Sequence, residues 1–130
     1  DANLERREFV RLPKNYRVSM RKLAFPLSGQ REIELDCVDI SCGGMRVQSF
    51  ARVEEDQKLH VEISIPRLNK FHPGYFKVFE SATSQILKAV AKVAWVRNLD
   101  FEARYEVGIK FLDVDEDDWK ALYHILLDNL

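Results

Sequence analysis

Six stretches of this chain alternate apolar and polar residues with a period of two, and that period restricts the fold more than anything else in the sequence. They are YRVSMRKL (16–23), REIELDCVDIS (31–41), GMRVQSF (44–50), KLHVEISIP (58–66), ILKAVAKVAWVR (86–97) and YEVGIKFL (105–112), all rich in strand formers. Alternation at period two sends successive side chains to opposite faces of a strand, one for a core and one for water. In 16–23 Tyr16, Val18 and Met20 share one side, which Lys22 continues; in 31–41 Ile33, Leu35 and Cys37 share one face, with glutamates on the other. Pro26, Ser28 and Gly29 punctuate the first gap and Cys42-Gly43-Gly44 the second. Short strands joined by turn chemistry predict an all-β chain folded as a closed or nearly closed β-barrel.

The end of the chain changes period. In DVDEDDWKALYHILLDNL the apolar residues Trp119, Leu122, Tyr123, Leu126, Leu127 and Leu130 form one stripe of a helix. Asp115 is placed to cap it, and Glu116, Asp117 and Asp118 lie in the first turn, where the helix dipole favours negative charge. Such a stripe packs on its own domain or against a second copy, so the chain is read as a monomer or a homodimer. Residues 67–85 alternate more weakly and carry a Pro-Gly turn and several aromatics, as a long excursion from the barrel would. The expected organisation of 1–130 is therefore a single domain: an arm at 1–12, a barrel at 13–112 with its excursion, and a C-terminal helix at 115–130.

Several function classes find no support. With 20 basic and 21 acidic residues the net charge is −1, whereas non-specific binders of long nucleic acid carry a basic excess. No run reaches the roughly 18 apolar residues of a membrane span, and no signal peptide opens the chain. The start at Asp1, without Met, is what a piece of a longer protein would show, so neighbouring domains are expected. Cys37 and Cys42 fit no zinc or redox spacing and read as small apolar filler in a reducing cytoplasm. His60, His72 and His124 are scattered singly, without a second ligand at metal spacing. No nucleophile elbow, P-loop or paired carboxylates in an apolar setting appear, so the chain is expected not to be an enzyme.

What remains is a constellation for recognition. ERREFVRL (5–12) gathers Arg6, Arg7 and Arg11, the last two as RxxxR, and DISCGG supplies Asp39, Ser41 and Gly44 as DxSxxG. On an extended strand Asp39 and Ser41 project to the same side. Gly43 and Gly44 permit a tight turn with positive φ, or close approach of a ligand to the backbone. Arginine pairs bidentately with phosphate oxygens and with the N7 and O6 acceptors of guanine, and its plane stacks on bases. A carboxylate accepts from the N1 and N2 donors on guanine's other edge. A small ligand made of guanines and phosphates would satisfy every group, although residue types alone do not single it out.

The two motifs, in this order and spacing, resemble the PilZ-domain family of bacterial cyclic di-GMP receptors. AKVAWV is similar to that family's later barrel strand, and VGIKFLDVDEDDWKALYHIL to its closing strand and terminal helix, so the resemblance covers nearly the whole chain. It implies a six-stranded antiparallel barrel of split-barrel type with a C-terminal α-helix, no catalysis, and no cofactor beyond the ligand. By motif position it gives Arg7 and Arg11 to phosphate and guanine, Asp39 and Ser41 to the guanine edge, and Gly44, with Gly43 before it, to an open turn beneath the base. It also implies that the RxxxR arm folds over the ligand. The family contains one-ligand and two-ligand binders, and an arginine at position 6 resembles the second kind, predicting two cyclic di-GMP molecules per chain. The output would be an altered contact with an unidentified protein partner or neighbouring domain.

Two rival readings use the same fold. One is a protein–protein interaction module that binds no nucleotide and works through the excursion or the helix; intact arginines count against it. The other is a barrel for single-stranded nucleic acid with Phe71, Tyr75, Phe76 and Phe79 as a stacking platform, against which the net charge counts. Titration with cyclic di-GMP and with a short oligonucleotide separates all three.

Overall fold

In the computed structural model, residues 11–13, 15–68, 85–99 and 104–128 are described. They form β1 (Leu12–Pro13), β2 (Arg17–Lys22), β3 (Ile33–Ser41), β4 (Gly44–Ser49), β5 (Lys58–Ser64), β6 (Ile86–Asn98), β7 (Tyr105–Val114) and α1 (Glu116–Asp128), with a single 3-10 turn at Leu27–Gly29. The pairing order β3-β2-β5-β6-β7-β4 closes on itself through β3–β4, making a six-stranded antiparallel barrel with β1 as an additional strand. Closure leaves no long unpaired edge among these six. The six alternating stretches of the sequence contain the six barrel strands, with β6 and β7 running slightly beyond theirs.

Alternation fills the interior as expected. Val18, Met20, Leu35, Cys37, Met45, Val47, Leu59, Val61 and Ile63 are buried, and so are Leu87, Val93, Val107, Ile109 and Phe111 on the last two strands. Burying one such aliphatic side chain stabilises the fold by about 1.5–3 kcal/mol. Tyr16 and Ile33 pack half-buried against this core, and Lys22 points to solvent: its charge leaves the barrel where β2 ends.

β1 was not legible in the sequence and bears on the site. It pairs antiparallel with β3, Leu12 opposite Ile40 and Pro13 opposite Asp39. β2 pairs with residues 33–36 of the same strand, on the edge that β4 does not use. β1 and β2 are thus successive lengths of chain along one edge of β3, and the backbone is tied to the barrel from Leu12 onward. Pro13, which has no N–H to donate, is tolerated because β1 is itself an edge.

The helix is capped as its sequence predicts: the Asp117 and Asp118 N–H groups donate to Asp115 Oδ1 at 2.8 and 3.2 Å. Its buried face is different from the predicted stripe. Ala121, Leu122, Ile125 and Leu126 are buried, whereas Tyr123 and Leu127 are exposed and Trp119 is half-buried. The buried face is rolled toward Ala121 and Ile125, which join the hydrophobic core. Trp119 fixes the roll by donating its indole N–H to the Cys42 carbonyl at 3.2 Å, and Tyr123 stacks on it from outside, with ring centroids 5.6 Å apart. Leu130 and residues 69–84 of the excursion lie outside the described residues; Leu68, where the excursion leaves the barrel, is buried.

Candidate functional site

A β-bulge decides which side chains of β3 reach the surface. Cys37 pairs with Val47 and Asp39 with Arg46, so Val38 is an extra residue in β3. Before it Leu35 and Cys37 face the core; after it Ile40 does, and Asp39 and Ser41 fall on the other face of the strand, both still largely covered. Without the extra residue, strict alternation from Leu35 and Cys37 would point Asp39 into the apolar interior. Bulges re-aim side chains in this way and recur next to functional sites. The sequence placed Asp39 and Ser41 on the same side correctly, but the parity switch that makes this the outer side left no mark on the alternation.

Arg11, just before β1 and level with Ser41 in the register, reaches Asp39: its Nη1 lies 2.5 Å from Oδ1. From the other strand Arg46 Nη2 lies 2.8 Å from Asp39 Oδ2. Arg46 Nη1 is 3.5 Å from Glu106 Oε1 on β7, and Arg97 Nη2 on β6 is 2.7 Å from the same oxygen. The two carboxylates are nearly sealed, with side chains 12% and 8% exposed, while the guanidiniums keep much of their surface in water. Three cations against two carboxylates leave the strip one positive charge in surplus. Arg46 Nε is buried without a hydrogen-bond partner among the described residues.

Sequence reasoning missed Arg46, Glu106 and Arg97 as members of the site. Their signal was positional: Arg46 stands directly opposite Asp39, and Glu106 pairs with Arg97. Trp95 belongs to the same face. Ala94 is an extra residue in β6, so Trp95 falls opposite Gly108, which in turn pairs with Arg46. The indole lies over the bare Cα of Gly108; a methyl there would meet Trp95 Nε1 at 2.2 Å. Asp39, Arg46, Gly108 and Trp95 thus form one row across four strands.

The β3–β4 turn departs from expectation in one respect. No described glycine has positive φ, so the turn is not of the left-handed kind that the Gly43-Gly44 pair was read to allow. Gly44 is required for a different reason: a Cβ there would lie 2.2 Å from the Ile109 carbonyl oxygen, so the bare Cα lets β7 run close against β4. Ser41 is buried and its hydroxyl is engaged locally, accepting from the Gly43 N–H and donating to the Gly44 carbonyl, each at 3.2 Å. The Gly43 carbonyl accepts from the Phe111 N–H at 2.9 Å, tying the turn to β7. Arg6 and Arg7 lie outside the described residues.

Beneath the site both cysteines are free and buried. Burial pushes the Cys37 thiol up to about 12, with the nearby Asp39 charge adding to the effect and Arg11 opposing it. Burial alone pushes Cys42 up to about 12. Tyr16, whose carbonyl accepts from the Cys37 N–H at 2.9 Å, is raised as well, by burial first and by Cys37 second. Two solvent-open cavities, of about 510 and 220 Å³, share Arg52, Val53 and Glu54, and the larger is also lined by Val96, Asn98 and Tyr105. Among the described residues no cluster of His, Cys, Asp or Glu could hold a metal ion, and no helix is long and apolar enough to cross a membrane.

Comparison with known proteins places this architecture. The chain is similar in fold to the inhibitor of motility MotI/DgrA of Bacillus subtilis, at 15% identity and TM-score 0.69, covering 93% of this chain and 49% of that one. It is similar to the PilZ domain of YcgR from Escherichia coli, solved with c-di-GMP, at 15% identity and TM-score 0.63, covering 95% and 90%. A third likeness is to MrkH of K. pneumonia in its c-di-GMP complex, at 17% identity and TM-score 0.63, covering 93% and 50%. The chain thus spans about half the length of MotI and MrkH. No curated protein matches it by sequence. The PilZ domain family model matches residues 5–128, and the chain belongs to the PilZ-domain family.

Proposed function

We propose that this domain is a receptor for cyclic di-GMP, which it binds on the outer face of β3 and β4 and leaves chemically unchanged. The observation that carries the reading is the bulge at Val38, which turns Asp39 outward beside the Arg11 guanidinium. The complexes of YcgR and MrkH with c-di-GMP support it, because those proteins share the fold. Arg7 and Arg11 take phosphate and the N7/O6 edge of guanine, and Asp39 takes N1–H and N2–H. Ser41, Gly43 and Gly44 hold the turn on which the base rests, and Arg6 receives a second ligand molecule. Binding alters the contact of this domain with a neighbouring domain or partner protein in the cytoplasm.

Calorimetric titration with cyclic di-GMP, GMP and a short single-stranded oligonucleotide tests this. Cyclic di-GMP alone should saturate, with a stoichiometry near two that falls to one in Arg6→Leu; a value near one in the wild type rejects the second molecule. At a hundredfold excess over Kd the ligand adds about 2.7 kcal/mol of stability, a rise in Tm of roughly 5–10 °C for a domain of this size. No response at high micromolar cyclic di-GMP sinks the receptor reading. Oligonucleotide binding in its place would favour the nucleic-acid barrel, and silence toward all three the interaction module.

A further inference from the structure

Asp39 is the group that this reading gives to the N1–H and N2–H donors of guanine, yet each of its oxygens already has a guanidinium. Arg11 holds Oδ1 at 2.5 Å and Arg46 holds Oδ2 at 2.8 Å. So little of the Asp39 side chain is open to solvent that a base pairing with both oxygens must displace one of the two. Arg11, which pairs with Asp39 alone among the described residues, is taken up by the ligand itself in this reading, so the second oxygen is freed only if Arg46 also moves. Arg46 has a second carboxylate in reach: its Nη1 already lies 3.5 Å from Glu106 Oε1, and Arg97 holds that oxygen in place at 2.7 Å. A 3.5 Å separation is longer than a good charge-assisted contact, which leaves room for it to shorten.

The chemistry of the displaced group matters. The N1–C2(N2)–N3 unit of guanine is itself a guanidine, and its N1–H and N2–H offer a carboxylate the same pair of parallel N–H donors that an arginine fork offers. We propose that Arg46 is an internal mimic of the guanine edge: it occupies Asp39 in the free protein and is handed to Glu106 when the base arrives. Arg46 and Glu106 together then set the affinity of the site, the first as competitor and the second as the receiving seat. This rests on the cyclic di-GMP reading above. Because the arginine moves within the strip and does not leave it, the surplus positive charge beside the ligand phosphates is kept throughout.

Titration of cyclic di-GMP into the wild type, Arg46→Met, Glu106→Gln and the double variant tests the hand-over. Removing the competitor should tighten binding about three- to tenfold, and removing the seat should weaken it by a similar factor, the size of an ordinary net hydrogen bond, because one contact is exchanged for another. The Glu106→Gln effect should shrink below about twofold in the Arg46→Met background, because no arginine is left to be reseated. Arg46→Lys, which keeps the charge and loses the fork, should also tighten binding and decides the matter alone if Glu106→Gln does not fold. Weaker binding by Arg46→Met, where the wild type binds, overturns the inference and leaves the receptor reading standing. So does a Glu106→Gln effect that is equal in both backgrounds. Binding by neither the wild type nor Arg46→Met overturns the two together.

Discussion

On the β2–β3 side of the barrel Arg17 meets Glu34 at 3.2 Å with both side chains mostly in water, 71% and 60% exposed, and Arg21 meets Glu32 at 2.8 Å. On the β3–β4–β7–β6 side Arg11, Arg46 and Arg97 meet Asp39 and Glu106 at comparable distances, but there the carboxylates are sealed. The residue types are the same and the physical situation is not. An exposed pair in high dielectric is worth little, and either partner can be lost without consequence. A buried carboxylate that loses its cation keeps its desolvation cost, so each one keeps a guanidinium against it while the outer N–H groups remain available. The site face is therefore a preorganised array of donors, and the β2–β3 side a ladder whose carboxylates stay in water.

The widest gap between the two sides should appear at glycine. Gly44→Val puts side-chain atoms onto the Ile109 backbone, which cannot give, and should cost about 3 kcal/mol, a fall in Tm of roughly 10 °C or more. Gly29, in the β2–β3 loop, would bring a Cβ to 3.2 Å from Pro26 Cγ, and Gly29→Ala should move the melt by only a few degrees. A Gly44→Val melt close to the wild type would mean that β4 and β7 can part freely. Next comes affinity. Arg11→Ala should weaken cyclic di-GMP binding about ten- to a hundredfold, as should Arg7→Ala, whereas Arg17→Ala should leave it unchanged. Equal losses from Arg11 and Arg17 would reduce the comparison to a general field of positive charge.

Stability at the carboxylates is a smaller contrast. Glu106→Ala leaves Arg46 and Arg97 without their shared acceptor and should cost about 1–3 kcal/mol, against less than about 1 kcal/mol for Glu34→Ala; chemical denaturation reads both. The least effect belongs to Ser19→Ala. The Ser19 hydroxyl, 2.6 Å from Glu32 Oε1, is the main reason the Glu32 carboxyl titrates below its ordinary 4.5, ahead of Arg21, with desolvation opposing. A folded pKa below the unfolded one contributes stability above pH about 4.5 that is lost as the pH falls further. Ser19→Ala should therefore change acid unfolding slightly and neutral stability hardly at all, and a clear loss at pH 7 would give this ladder more weight than its exposure allows.

The barrel was legible because it rests on alternation, which repeats over whole strands and survives local faults. The Asp115 cap was legible because it depends on a few adjacent residues. The candidate site was visible as a motif, DxSxxG, and not as a network. Arg46 lies far along the sequence from Arg97 and Glu106, and only the register of β4, β7 and β6 brings the three together. Two single-residue bulges, at Val38 and Ala94, set that register, and one extra residue within an alternating run has no distinct composition. The roll of α1 escaped for a related reason. Ala121 counts for little in a hydrophobic stripe, yet it is fully buried.

The two thiols beneath the site have a practical consequence for labelling chemistry. Alkylating reagents attack thiolates, and Cys37 and Cys42, buried and titrating near 12, supply almost none at pH 8. The sequence contains no other cysteine. A cysteine introduced at an exposed position such as Glu54 or Gln48 would therefore be the one reactive sulfur in the molecule while the fold is intact, and a maleimide dye would mark that position without removal of the native pair. The same silence works in reverse as an assay, since the moment both native sulfurs take up reagent is the moment the barrel has opened.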